Sequence, residues 1–176
     1  MTRCYEFKVF LQEITPQIRR SFLLCTTATF DDLHFAIQDS FGWEECHAFE
    51  FRLPKYRGRP GEPMPHAGRS KLSRYFTDES VKRCEYVYDF GDDWVHDVKL
   101  VGVRSKPEPF HRRLLSGKRA CPLVDCGGVF GYKRCVKFVK TGKSPWDDDG
   151  LEFAEWLGDW RPDDFDLAEC ARKFDC

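Results

Sequence analysis

Tyr5-Glu6-Phe7-Lys8-Val9-Phe10-Leu11-Gln12 is followed, after a turn at Thr15-Pro16, by Ile18-Arg19-Arg20-Ser21-Phe22-Leu23-Leu24-Cys25. In the first run Tyr5, Phe7, Val9 and Leu11 alternate with Glu6, Lys8 and Gln12. A period of two is what a strand with one buried and one wet face requires. In the second run Ile18, Phe22 and Leu24 share a face. Two strands joined this closely pair as an antiparallel hairpin.

Working outward, Thr29 stands where a helix N-cap belongs, with Asp32 three residues on as in a capping box. Leu33, Ile37 and Phe41 then recur at helical spacing, and Gly42 supplies a left-handed stop. Phe49, Phe51 and Leu53 alternate against Glu50 and Arg52, which predicts a third strand. Residues 54–69 are rich in Pro, Gly and Arg and read as a long loop. Tyr86, Tyr88 and Phe90 alternate again, Gly91-Asp92-Asp93 offers turn chemistry, and Trp94 to Val103 forms the returning strand of a second hairpin. Past a second basic loop, helices are expected over Tyr132–Lys140, with Cys135, Phe138 and Val139 inward, and over Leu151–Leu157, with a stripe of Phe153, Trp156 and Leu157. A last helix covers Asp166–Phe174. The expected fold class is α+β: a β-grasp-like, antiparallel-dominated sheet crossed by one helix, with extra C-terminal helices.

At 176 residues the chain suits one domain over 1–176, which can bury roughly 70% of its unfolded surface without disulfide or metal. Aromatic residues make up 15%, enough for a core built on rings. Net charge is only −1, yet seven Lys/Arg face one acid between Arg52 and Arg74, and six face one between Arg104 and Arg119. Eleven acids face three bases from Asp147 to Cys176. Such asymmetry can mark a nucleic-acid or anionic-partner surface, and solvated loops with an acidic helix would give the same counts. Nine cysteines behind an N-terminus without an apolar leader suit reduced thiols, and the expected location is cytoplasmic. No apolar run approaches the ~20 residues of a membrane span.

Four stretches carry a family resemblance. They are Thr29-Phe-Asp-Asp-Leu-His34 through Phe41-Gly-Trp43 to His47 and Phe51; Tyr88-Asp-Phe-Gly-Asp-Asp-Trp-Val-His96; Ala120-Cys-Pro122 with Asp125-Cys-Gly-Gly-Val-Phe-Gly-Tyr132; and Trp156-Leu-Gly158 with Phe165-Asp166. Together with Arg19-Arg20, and in order from Tyr5 to Leu167, they resemble the plasmid pRiA4b ORF-3-like family. The resemblance implies a bacterial or archaeal gene beside plasmid or transposon genes. Some relatives of that kind are labelled resolvase or repressor. Recombinase chemistry needs a Ser or Tyr nucleophile within an arginine cluster, and the matched pattern shows none. Cys4, Cys25, Cys84, Cys135, Cys170 and Cys176, and the basic loop, depart from the pattern.

Three constellations suggest chemistry. Asp92, Asp93 and His96, with His47, offer carboxylates and imidazoles for a divalent metal or an acid–base pair. Gly-Asp-Asp is equally what a hairpin turn prefers, and His96 shares a strand face with Trp94. Cys121, Cys126 and Cys135, with Asp125, form a second group: Cys121 and Cys126, separated by four residues, have a spacing zinc permits, but a second close pair is missing, so buried thiols are the plainer reading. Gly127-Gly128-Val-Phe-Gly131 leading into a helix could present N–H groups to an anion, but lacks the Lys and Ser/Thr of a phosphate loop.

The leading expectation is a non-enzymatic recognition module that binds a macromolecule, nucleic acid or an acidic protein, through basic loops 52–74 and 104–119. Its binding residues are Arg52, Lys55, Arg57, Arg59, Arg69, Lys71, Arg74 and Trp94. The alternative is a metal-assisted, hydrolase-like enzyme centred on Asp92, Asp93, His96 and His47. Apart from that divalent metal, no cofactor is expected.

Overall fold

The computed structural model describes residues 1–53, 69–76, 82–143 and 150–176. Six strands, β1 (Thr2–Leu11), β2 (Arg19–Cys25), β3 (Phe49–Arg52), β4 (Arg83–Tyr88), β5 (Trp94–Lys106) and β6 (Arg112–Lys118), form one sheet in the order β3-β4-β5-β1-β2-β6. Every pairing is antiparallel. Four helices accompany it: α1 (Phe30–Phe41), α2 (Gly128–Thr141), α3 (Leu151–Leu157) and α4 (Leu167–Phe174). The α+β sheet-plus-helix architecture is the one the alternation implied.

The period-two pattern explains the core. Phe7, Val9 and Leu11 of β1 stand opposite Leu100, Val98 and His96 of β5, while Phe7 also faces Phe22 of β2. Tyr86 and Tyr88 of β4 stand opposite His96 and Trp94. All of these side chains are buried, and α1 lays Leu33, Ile37 and Phe41 against them.

The start of α1 follows from its cap. Asp32 N–H donates to Thr29 Oγ1 at 3.2 Å, and Thr29 N–H donates to Asp32 Oδ2 at 2.7 Å, closing the capping box. Gly42 at φ 83° ends the helix, its N–H donating to the Gln38 carbonyl. Replacing Thr29 by Ala leaves an orphan donor, so Thr29→Ala is expected to cost about 1 kcal/mol. A lowered urea midpoint at unchanged slope would register it; an unmoved midpoint would mean the cap carries no stability.

One charge sits inside. Arg20, opposite Val9, is buried without a carboxylate. Its guanidinium donates to the carbonyls of Ser40, Arg19 and Lys118 and lies over the rings of Phe41 (4.9 Å) and Phe165 (4.3 Å). Ser40 belongs to the last turn of α1, where the helix dipole favours a cation.

Residues 104–119 are not a loop. β5 runs on to Lys106, and Arg112–Lys118 form the edge strand β6 on β2. Its inward positions opposite Leu24 and Phe22 are Arg112 and Leu114, so alternation of apolar residues is lost. Arg112 reaches inward because its guanidinium lies over Phe174 of α4 (4.9 Å), which packs on Phe22. Other corrections are local. β4 stops at Tyr88, leaving Phe90 exposed in the turn. α2 begins at Gly128, four residues before Tyr132, with Phe138 and Val139 only half-buried. Trp156 is 46% exposed, so the α3 stripe buries Leu157 but not its indole. The expected loop over 54–69 lies outside the described residues except for Arg69.

Candidate functional site

Three connections meet at one end of the sheet. His47 lies between α1 and β3, Asp89 follows β4, and Asp125 precedes α2. His47 Nε2 is 3.6 Å from Asp89 Oδ2 and 3.3 Å from Asp125 Oδ1, and the three donor atoms lie within 4.8 Å of one another. Among the described residues this is the one group of three His, Cys, Asp or Glu side chains placed to share a metal ion.

Each member is held by its backbone. Asp89 N–H donates to the Ala48 carbonyl (2.9 Å), tying the His47 segment to β4. Asp89 Oδ1 accepts the N–H groups of Gly91 (2.9 Å) and Asp92 (3.4 Å), which turns Oδ2 toward His47. Asp92 Oδ2 in turn accepts the Gly127 N–H (3.2 Å) at the start of α2, two residues after Asp125. Gly128, at φ 65°, lets this approach happen: a Cβ there would stand 2.6 Å from the Asp92 carbonyl oxygen. Asp89, Asp93 and Asp125 all have left-handed backbones, at φ 57°, 52° and 57°. Short Asp side chains tolerate that region better than most residues do.

The donor set suits a divalent cation. Ligands about 2.1 Å from a tetrahedral ion stand about 3.4 Å from each other, a value that the 3.3 and 3.6 Å separations bracket. His47 Nε2 is shielded from solvent and makes no hydrogen bond, despite two carboxylate oxygens close by. The side chains grade from buried to open: Asp89 is 9% exposed, His47 28% and Asp125 73%. An ion held here would therefore keep positions facing solvent on the Asp125 side. Two oxygens and one imidazole nitrogen suit Zn²⁺ or Mn²⁺.

The sequence candidates divide. His47 belongs to the cluster. Asp92 supports it through the Gly127 N–H, and Asp93 is exposed with its N–H on the Asp89 carbonyl. His96 does not join them: fully buried beneath the edges of Phe41 (5.0 Å) and Trp43 (5.3 Å), it places Nδ1 at 3.2 Å from the Tyr86 carbonyl and 3.0 Å from that of Trp94. Burial lowers its pKa to about 4, so the ring is neutral. Trp94 is core and presents no surface for binding.

Cys121 and Cys126 are not brought to a shared ligand group among the described residues. A hydrogen bond with Cys135, and then burial, hold the Cys126 thiol above the ordinary thiol range, and burial does the same to Cys121. Gly127 is the N-cap of α2, but its N–H is taken by the Asp92 carboxylate, an anion of the chain itself.

Half of the expected basic surface has acidic partners where it is described. Arg104 pairs with Glu6, Arg112 with Asp39, Arg113 with Glu108 and Arg119 with Asp163. Arg52 pairs with Glu50, while Arg69, Lys71 and Arg74 are exposed. Lys55, Arg57 and Arg59 lie outside the described residues.

Asp89 is the member that reasoning by spacing passes over, and Asp125 is grouped by spacing with the cysteines rather than with His47. Each is an isolated acid just before a glycine turn, Asp89-Phe90-Gly91 and Asp125-Cys126-Gly127. Their joint signal is that three of the stretches quoted for the family resemblance each contribute one residue to the cluster.

Comparison with known proteins agrees with that resemblance. The model of the plasmid pRiA4b ORF-3-like protein family matches residues 3–169. An uncharacterized protein, y4hQ, of Sinorhizobium fredii is 30% identical over 156 residues, covering 86% of this chain and 79% of the relative. The crystal structure of MM3350 from Methanosarcina mazei Go1, described as a protein of unknown function, is 34% identical with a TM-score of 0.81. That similarity covers 96% of this chain and 98% of the archaeal one.

Proposed function

The chain belongs to the plasmid pRiA4b ORF-3-like family, and since that description names no activity, we propose a function from the site itself: divalent-metal binding by His47, Asp89 and Asp125 in support of hydrolysis. The observation that carries the reading is the convergence of an imidazole nitrogen and two carboxylate oxygens, with separations of 3.3 and 3.6 Å, from three distant segments. A bound divalent ion supplies Lewis acidity and brings a water's pKa toward about 7. The chain's own part is geometric. Asp89 is locked by its turn, His47 is braced edge-on against Tyr88 (5.8 Å), and Asp125 leaves its side of the site open to substrate.

The metal-assisted alternative thus moves its centre from Asp92, Asp93 and His96 to Asp89 and Asp125, keeping His47. The recognition reading through 52–74 and 104–119 draws less support, because four of the six basic residues of 104–119 already have acidic partners.

Calorimetric titration with Mn²⁺ and with Zn²⁺, followed by assay on an activated phosphodiester, tests this. One ion per chain is expected. Asp125→Asn keeps the left-handed backbone and should weaken binding by about tenfold or more, since even outer-shell partners are worth that much. Absence of stoichiometric binding by either ion, or equal affinity in Asp125→Asn, would overturn the site. Binding without turnover would leave a metal protein and remove the hydrolase.

A further inference from the structure

We propose that a groove beside this cluster holds the base of a nucleotide, stacked on Trp156, with the phosphate directed toward the metal. The inference names a substrate class for the site proposed above and rests on that reading for its phosphate end only.

The groove encloses about 500 Å³, within the usual range for small-ligand sites. Trp43, Trp156, Trp160, Pro122, Val124 and Glu44 line it. Its chemistry is narrow. Trp43 Nε1–H donates to the Pro122 carbonyl (3.1 Å) and Trp160 Nε1–H to that of Cys121 (2.8 Å), so both ring N–H groups are occupied. Trp43 is buried with Phe41 and Tyr88 stacked against it and forms the groove's wall, while the half-buried Trp160 and the exposed Trp156 offer π-surface, which accepts a flat ring without demanding particular hydrogen bonds. Trp156 is held by stacking on Phe153 (5.6 Å) while 46% of it stays open. An indole braced yet left exposed is the arrangement of a stacking platform.

Two features select a nucleotide over a purely apolar ring. Glu44 is the groove's acidic member, and a carboxylate there accepts from the exocyclic amino group of a base, as carboxylates do from cytosine. The groove also leads to the cluster. Val124, which lines the groove, is the residue before Asp125, the open member of the cluster. A ligand seated on Trp156 can therefore extend toward the donor atoms along the Val124 side. Without the ion those carboxylates repel phosphate, so binding should depend on metal.

Cytidine 5′-monophosphate and a short single-stranded oligo(dC) are titrated calorimetrically into the protein with excess Mn²⁺ and again with EDTA, alongside Trp156→Ala and Glu44→Gln. Mn²⁺-dependent binding is expected, weakened roughly ten- to a hundredfold by Trp156→Ala, the range for loss of one stacking ring. Mn²⁺ affinity itself should be unchanged in that variant, which shows that its site is intact. A similar affinity for both probes assigns a free nucleotide, and a much tighter oligomer assigns a strand. Mn²⁺ binding with no nucleotide binding, or nucleotide binding indifferent to Trp156→Ala, overturns the groove and leaves the metal reading standing. Nucleotide binding equal in EDTA and lost in Trp156→Ala upholds the groove and sinks its metal partner instead.

Discussion

Acidification is expected to unfold this protein through two histidines, at a total cost of about 6 kcal/mol between pH 6.5 and pH 4. His96 and His34 are both buried, and burial lowers each pKa from 6.5 to about 4. His34 stacks on Phe49 at 3.6 Å with Nδ1 2.7 Å from the Tyr86 hydroxyl, and His96 lies beneath Phe41 and Trp43. The folded state therefore keeps both rings neutral where the unfolded chain protonates them. Above about pH 6.5 their contribution is fully present, and it drains away as pH falls toward 4, at up to about 1.4 kcal/mol per pH unit for each ring. Urea midpoints measured at several values between about pH 7.5 and 5 should fall steeply. In His96→Phe the slope should halve, whatever that variant's stability at neutral pH. A flat profile would mean that both rings can be protonated within the fold, and a half-slope in the unaltered protein that one can.

Gly131→Ala should be the most damaging glycine-to-alanine change among the described residues compared. A Cβ at Gly131 would stand 1.6 Å from the carbonyl oxygen of Cys126 and 2.5 Å from its carbon, both backbone atoms that no rotamer change can move. The loop before α2 would have to leave the helix, at roughly 3 kcal/mol or more, the upper end of what overpacking costs. Asp125 precedes Cys126, so Mn²⁺ binding should vanish along with the stability. Gly142→Ala is the control. Nothing lies within 4 Å of its Cβ, and only its left-handed φ of 66° opposes the change, at about 1 kcal/mol. Equal urea midpoints for the two variants would rule out the close contact between loop and helix.

What the sequence made legible, and what it hid, follows from the range of the interactions involved. The β1–β2 hairpin, the capped α1 and the β4–β5 turn are set by neighbours a few residues apart, and their signals are local. β6 was hidden because an edge strand with Arg112 inward has no alternation to read. Phe90 continues the alternation of β4 yet sits in the turn, because the left-handed Asp89 ends the strand. At the candidate site, His47 was visible as a chemically suggestive residue. His96 misled because an imidazole two residues from a tryptophan looks the same in sequence whether it serves a site or a core. Asp89 and Asp125 acquire meaning only once the chain brings them beside His47, which no spacing rule encodes.

The strand order has a kinetic consequence. β1 is an interior strand whose second partner is β5, with Thr2 opposite Lys106 and Leu11 opposite His96. During synthesis the first hairpin and α1 can assemble early, but one edge of β1 stays unpaired until the ribosome has released β5. Closure across so long a loop belongs to the slower class of folding events, and an open apolar strand is then exposed to other chains. The proposed metal site also needs Asp125, which lies beyond β5, so ion uptake would follow the closing of the sheet.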